Sequence, residues 1–201
     1  MIDGIARRGL DPLLQAAAGT IARSRVSANA ITWSAFVIGM GAAVAIYYGQ
    51  FITALLLILL SRLGDGLDGA VARINGKTDL GGYLDIVLDF VFYGAIPLAF
   101  ILHNPASNAV PGAVLLFAFY GNGASFLAYS IMAEKRKMSG EARGEKSFFF
   151  TTGLAEAGET LIAFSLACLM PQWFAAIAYV FAAMTIYTTV SRIILAMREL
   201  R

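Results

Sequence analysis

Six apolar stretches, each about as long as a bilayer is thick, constrain this chain more than any other feature. A hydrocarbon core of ~30 Å takes ~20 residues of helix at 1.5 Å per residue. Residues 29–48, 51–73, 82–103, 110–131, 149–170 and 173–197 meet that length. In hydrocarbon every backbone N–H and C=O must be satisfied within its own segment, and for such runs that means helix. The predicted fold class is an all-α integral membrane protein with six transmembrane helices. Composition agrees: 59% of the 201 residues are hydrophobic and only 14% charged, against roughly 25% charged in soluble domains. So few charges cannot cover a soluble globule. A soluble enzyme, a disordered chain and a nucleic-acid binder resting on a basic surface are all excluded. The single cysteine, Cys168, rules out an internal disulfide and a cysteine-based metal cluster, and its apolar run predicts a packing role.

The 15 basic residues orient these helices. Arg7, Arg8, Arg23 and Arg25 precede the first stretch, and Arg62, Arg73 and Lys77 lie at or near the second connection. Lys135, Arg136, Lys137, Arg143 and Lys146 fill the fourth connection, and Arg192, Arg198 and Arg201 lie towards the end of the chain. The other three connections hold none. The positive-inside rule then puts both termini and the even-numbered connections in the cytoplasm. Residues 1–28 read as a separate segment. Ile5, Leu10, Leu13, Leu14, Ile21 and Val26 recur beside arginines, which predicts an amphipathic helix lying in the interface rather than a signal peptide. Residues 29–201 are expected to form the membrane domain.

Four acids stand where membrane helices should have none. Asp65 and Asp68 lie on the second stretch, Asp85 and Asp89 on the third. One carboxylate at the centre of a membrane helix costs about 2.5–3.5 kcal/mol on insertion scales. On a helix, Asp65 and Asp68 fall about 60° apart with Gly69 about 40° to the other side of Asp65, and Asp85 and Asp89 about 40° apart with Gly82 on the same side. Two helices joined by a short cytoplasmic connection thus each offer two carboxylates and a glycine. Facing one another they make a cluster of hard oxygen ligands suited to Mg²⁺, Mn²⁺ or Ca²⁺ rather than zinc. Four carboxylates have room for two such ions, a device that grips a diphosphate in phosphoryl transfer. Intramembrane acids also mark ion pathways, so a divalent-cation carrier is the reading from another class.

Written out, the segment is Asp65-Gly-Leu-Asp68-Gly69-Ala-Val-Ala72-Arg73, then after eight residues Gly82, with Asp85 and Asp89 beyond. It resembles the class I CDP-alcohol phosphotransferase (CDP-alcohol phosphatidyltransferase) signature, D-x2-D-G-x2-A-R-x8-G-x3-D-x3-D, with Gly82 as the second glycine. The six-helix plan with an N-terminal interfacial helix is similar to that family too, and short bacterial inner-membrane members look most alike. The resemblance implies that Asp65, Asp68, Asp85 and Asp89 bind two ions, Mg²⁺ or Mn²⁺, and that Asp89 is also the general base. It implies that Asp68, Gly69, Arg73 and Gly82 contact the CDP moiety. Asn29 and Thr32 resemble a second family patch, P-N-x-x-T, with Ala28 in place of the proline, and would join them.

Two transfers fit this signature. A phosphatidyl group moves from CDP-diacylglycerol to a small polar alcohol with release of CMP, or a phospho-head group moves from a CDP-amino-alcohol to diacylglycerol. The compact plan favours the first. The acceptor pocket is expected among the last three helices, with Asn122, Lys146, Glu156, Glu159 and Arg192 as its candidate residues. The resemblance further implies a homodimer in the cell inner membrane with the active site facing the cytoplasm.

Overall fold

The computed structural model describes residues 15, 18–19, 26–136, 155 and 157–200. Most of the interfacial segment expected over 1–28 lies outside the described residues, as do Lys146 and Glu156. Among the described residues there are six α-helices and no strand: α1 (Ala28–Tyr47), α2 (Phe51–Asn75), α3 (Asp79–His103), α4 (Pro105–Lys135), α5 (Ala157–Leu169) and α6 (Phe174–Glu199). A 3₁₀ turn, Pro171–Trp173, leads into α6. Helices α1, α3, α4 and α6 with its lead-in are long and apolar enough to cross a bilayer. Helix α2 matches α3 at 25 residues, but from its middle onward it carries Arg62, Asp65, Asp68 and Arg73. The chain is an all-α membrane protein. Its outer surface is correspondingly apolar: Phe117, Val37 and Leu56 are 72%, 63% and 63% exposed.

Local chemistry sets the helix ends. Ser27, in extended backbone, caps α1 by accepting the Ala30 N–H at 3.2 Å. Thr78 caps α3 by accepting the Gly81 N–H at 3.0 Å. The turns before α2 and α3 each need a positive φ, and glycine supplies it: Gly49 at 75° and Gly76 at 98°. The charge-free loop expected over 104–109 is reduced to one residue. Asn104 accepts the Ser107 N–H, and Pro105 occupies the first turn, where a missing N–H costs nothing. Asn108 is consequently helical and buried, donating from Nδ2 to the Phe100 carbonyl at 2.9 Å.

Helix α1 packs against both α2 and α3, α4 against α3 and α6, and α5 against α2 and α6. Sequential α2 and α3 do not pack closely on each other; α1 stands between them. Small residues allow this. A Cβ on Gly64 of α2 would lie 2.8 Å from the Ala35 Cβ of α1. A Cβ on Gly39 of α1 would lie 2.7 Å from Phe92 of α3 and 2.8 Å from the Ser61 hydroxyl of α2. That hydroxyl donates to the Ala35 carbonyl at 2.8 Å, tying α2 to α1. Beyond this junction lies an apolar core around Phe92, Phe100, Phe164, Phe174 and Phe181. Phe100 stacks on Phe174 with ring centres 4.5 Å apart. Cys168 is buried in the same core, in the packing role expected of it.

Candidate active site

The gap left between α2 and α3 is where the acids meet. Carboxylate oxygens of Asp65, Asp68 and Asp85 lie within 4.8 Å of one another. Asp68 is buried, and its Oδ2 has no hydrogen-bond partner among the described residues. A buried, unsatisfied carboxylate oxygen facing two further carboxylates is costly unless a cation takes it up. The donor set therefore fits a hard divalent ion.

Asp89 is placed differently from the other three. Its Oδ1 accepts a hydrogen bond from Arg62 Nη1 at 2.6 Å, and the same Nη1 stands 3.6 Å from Asp65 Oδ2. Composition and spacing point to the four acids but not to this guanidinium among them. The signal available was its position three residues before Asp65, on the same helix face.

Two cavities open from the acids. The first, of about 620 Å³, is lined by Asn29 and Thr32 of α1, Asp68, Gly69 and Arg73 of α2, and Gly82 and Asp85 of α3. All six residues singled out for CDP thus line one space, which the α2–α3 turn also lines. The second glycine of the signature needs a correction. Three residues precede Asp85 after Gly81, not after Gly82, so Gly81 stands in the signature's register and the run after Arg73 is seven residues long. Packing agrees: a Cβ on Gly81 would lie 3.0 Å from the Thr78 hydroxyl and 3.1 Å from Asn29 Oδ1, whereas one on Gly82 would meet nothing within 4 Å. Both glycines line the cavity.

The second cavity, of about 670 Å³, shares Asp85 with the first and adds Asp89, Asn122, Thr160 and Arg192. The rest of its wall is mostly apolar and aromatic, including Phe90, Tyr93, Phe119 and Phe126. Tyr93, one helical turn after Asp89, is thus part of a cavity wall. Arg192 Nη1 donates to the Asn122 carbonyl at 3.0 Å, to its Oδ1 at 2.9 Å and to the Ser125 hydroxyl at 2.7 Å. Of the acceptor candidates, Asn122 and Arg192 are therefore together on this wall, while Glu159 lies in the first turn of α5.

With this geometry in hand, comparison with known proteins is decisive at the family level. The CDP-alcohol phosphatidyltransferase family profile matches residues 25–190. The chain is 42% identical over 193 residues to the inner membrane protein YnjF of Escherichia coli, covering 96% of this chain and 94% of that one. It is 29% identical over 203 residues to an archaetidylinositol phosphate synthase of Methanothermobacter thermautotrophicus, covering 98% and 93%. It is also 33% identical over 101 residues to a bifunctional IPC transferase and DIPP synthase of Aquifex aeolicus, covering 48% of this chain and 23% of that protein. The chain belongs to the CDP-alcohol phosphatidyltransferase family. It is a transferase of phospholipid head-group transfer that uses CDP-alcohol substrates in a lipid membrane, in a family that generally uses divalent metals. The divalent-cation carrier reading gives way to this membership.

Proposed function

We propose that the chain transfers a phosphatidyl group from CDP-diacylglycerol to a small polar alcohol and releases CMP. The observation that carries this reading is the pair of cavities meeting at Asp85, one lined by the signature's nucleotide residues and the other by Asp89. Asn29, Thr32, Asp68, Gly69, Arg73 and the Gly81–Gly82 pair hold the CDP end of the donor. Arg73 suits the phosphates because its guanidinium is planar and always charged. Asp65, Asp68, Asp85 and Asp89 would hold two divalent ions, Mg²⁺ or Mn²⁺. When bound, such ions neutralise the diphosphate and stabilise the leaving phosphate charge. Asn122 and Arg192 orient the acceptor, with Lys146, Glu156 and Glu159 as further candidates. Asp89 accepts the proton of the acceptor hydroxyl. The acceptor oxygen bonds to the phosphorus carrying the diacylglycerol, the bond from that phosphorus to the bridging oxygen breaks, and CMP leaves with its electron pair.

The same reading makes 1–28 an interfacial helix and 29–201 the transferase domain. It makes all six helices membrane spans, the enzyme a homodimer of the cell inner membrane, and the site cytoplasmic. Its test is CMP release from radiolabelled CDP-diacylglycerol with a panel of alcohols. Release should require the acceptor, stop in excess EDTA and be lost in Asp65→Asn and Asp85→Asn with the fold retained. Undiminished release in EDTA refutes the metal site. The aromatic wall of the second cavity favours one other reading, transfer from a CDP-amino-alcohol to diacylglycerol. The same assay with the donors exchanged decides between them.

A further inference from the structure

Arg192 reaches from α6 to a polar stripe on α4, and its bonds fix more than itself. Its Nη1 stands 3.0 Å from the Asn122 carbonyl, 2.9 Å from Asn122 Oδ1 and 2.7 Å from the Ser125 hydroxyl. A guanidinium nitrogen of this kind carries two hydrogens, so these acceptors share them. The shortest of the bonds goes to Ser125. That hydroxyl spends its own hydrogen on the Asn122 carbonyl, at 2.8 Å, and so meets Arg192 with lone pairs only. The guanidinium carbon also lies 5.6 Å from the centre of the Phe126 ring, within reach of cation–π attraction. The amide of Asn122 is turned by the same contact. Its Oδ1 faces the guanidinium, because its amide nitrogen there would set donor against donor. What Asn122 then offers the second cavity, which it lines, is its two N–H groups. Arg192 lines the same cavity and brings only donors and a positive charge. Asp85 and Asp89 line it from α3, so one wall accepts hydrogen bonds and the other donates them.

We propose that Ser125 is a positioning residue for the acceptor alcohol. It locks Arg192, and through Arg192 the Asn122 amide, into a pair of donors that reads an oxygen-bearing group at the end of the acceptor away from the reacting hydroxyl. The inference rests on the transfer reading above, in which Asn122 and Arg192 orient the acceptor. Hydroxyl and phosphate oxygens both accept hydrogen bonds from such a pair. An ammonium group has only donors and would bring a second positive charge beside Arg192. The wall therefore selects polyols or their phosphates over amino alcohols. Ser125 acts from behind: it is not among the described residues that line the cavity.

The test measures binding without turnover, on the full chain in lipid nanodiscs with no donor added. The probes are radiolabelled glycerol, glycerol phosphate and ethanolamine. The parent should bind glycerol or glycerol phosphate at least about tenfold more tightly than ethanolamine, and the stronger of the two tells hydroxyl from phosphate recognition. Ser125→Ala should weaken that binding by roughly tenfold. Its melting temperature and, measured separately, its binding of CDP-diacylglycerol should stay those of the parent. Ser125→Thr keeps the hydroxyl and should recover affinity to within about threefold of the parent. Asn122→Asp replaces the two N–H donors by acceptors and should narrow the preference over ethanolamine by about tenfold. Ethanolamine bound as tightly as the other two overturns the proposal, as does a parent that binds none of the three. So does Ser125→Ala that binds them as the parent does, or that loses CDP-diacylglycerol to the same extent, which would make Ser125 structural. Ser125→Thr as weak as Ser125→Ala with an unchanged melting temperature also overturns it, since the hydroxyl would then not matter. The expected binding with no CMP released from CDP-diacylglycerol refutes the transfer reading instead and leaves the donor pair standing.

Discussion

At the scale of single residues, the four aspartates are alike in sequence and unlike in place. Asp68 is buried with an unsatisfied oxygen, whereas Asp89 is 28% exposed and engaged by Arg62. That difference assigns them different expected losses. Asp89→Asn preserves the shape of the side chain while removing the proton acceptor. It should bind radiolabelled CDP-diacylglycerol as the parent does and turn over more slowly by ~10²–10⁴. Titrating Mg²⁺ separates the two roles Asp89 can have. A ligand defect recovers at high metal and a base defect does not, so wild-type turnover in saturating Mg²⁺ would remove Asp89 from proton transfer. The acids themselves were legible from the chain because charged residues in apolar stretches have no cheap explanation. Arg62 was not, because an arginine near a helix's cytoplasmic end already has one. Only the fold shows its guanidinium between Asp89 and Phe92. Gly81 and Gly82 are adjacent, and packing against Asn29 and Thr78 tells them apart.

At the scale of elements, α1 spaces the site. It packs on both α2 and α3, and the helices that carry the acids stay apart. Of the six expected starts, the one at 149 lies outside the described residues, and four, those of α1, α2, α3 and α6, follow from apolar length and turn residues to within three positions. The position of α1 does not, since sequence order alone would pair α2 with α3. The start of α4 also departed from the apolar run, because Asn104 and Pro105 begin a helix whatever the hydropathy of the next residues. Gly39 is the test of the spacer. A Cβ there meets Phe92 at 2.7 Å and Ser61 at 2.8 Å, and Phe92 and Ser61 are the supports of Arg62. Gly39→Ala should destabilise the fold by about 1–3 kcal/mol, as overpacked cores do, and lower turnover with it. Gly121→Ala is the control, since a Cβ there meets nothing within 4 Å. By helix propensity it should stabilise by up to ~1 kcal/mol. Thermal unfolding in detergent measures both. Equal melting temperatures for the two variants would mean that α1 yields freely and does not set the gap.

At the scale of the whole molecule, the acids, the first cavity and the described basic residues, Arg62, Arg73 and Lys77 on and after α2, Lys135 and Arg136 at the end of α4 and Arg192 and Arg198 near the end of α6, belong to one end. Helix α4 fixes that end relative to the other. At 31 residues it spans about 46 Å at 1.5 Å per residue, close to the ~40–45 Å of a bilayer with its headgroups. Its last turn ties to the end of α6: Arg136 donates to the carbonyls of Glu199 and Leu200, and the Tyr129 hydroxyl bonds the Glu199 carboxylate. Asn122 and Phe126, in its second half, share the second cavity with Asp85 and Asp89. Ser107 lies in its first turn, exposed and far from them. If the basic end faces the cytoplasm, a membrane-impermeant maleimide on intact cells should label Ser107→Cys. It should label Ser139→Cys, in the connection rich in Lys and Arg, only after permeabilisation. Both variants are made with Cys168→Ala so that the introduced thiol is the sole target; Cys168 is 1% exposed in the core, and alanine fits there with the loss of one sulfur. The reverse pattern would put the first cavity outside the cell, where the proposed CDP-linked donors made in the cytoplasm do not reach it. Labelling of both sites from outside would mean that α4 does not span, and the six-span arrangement would fall with it.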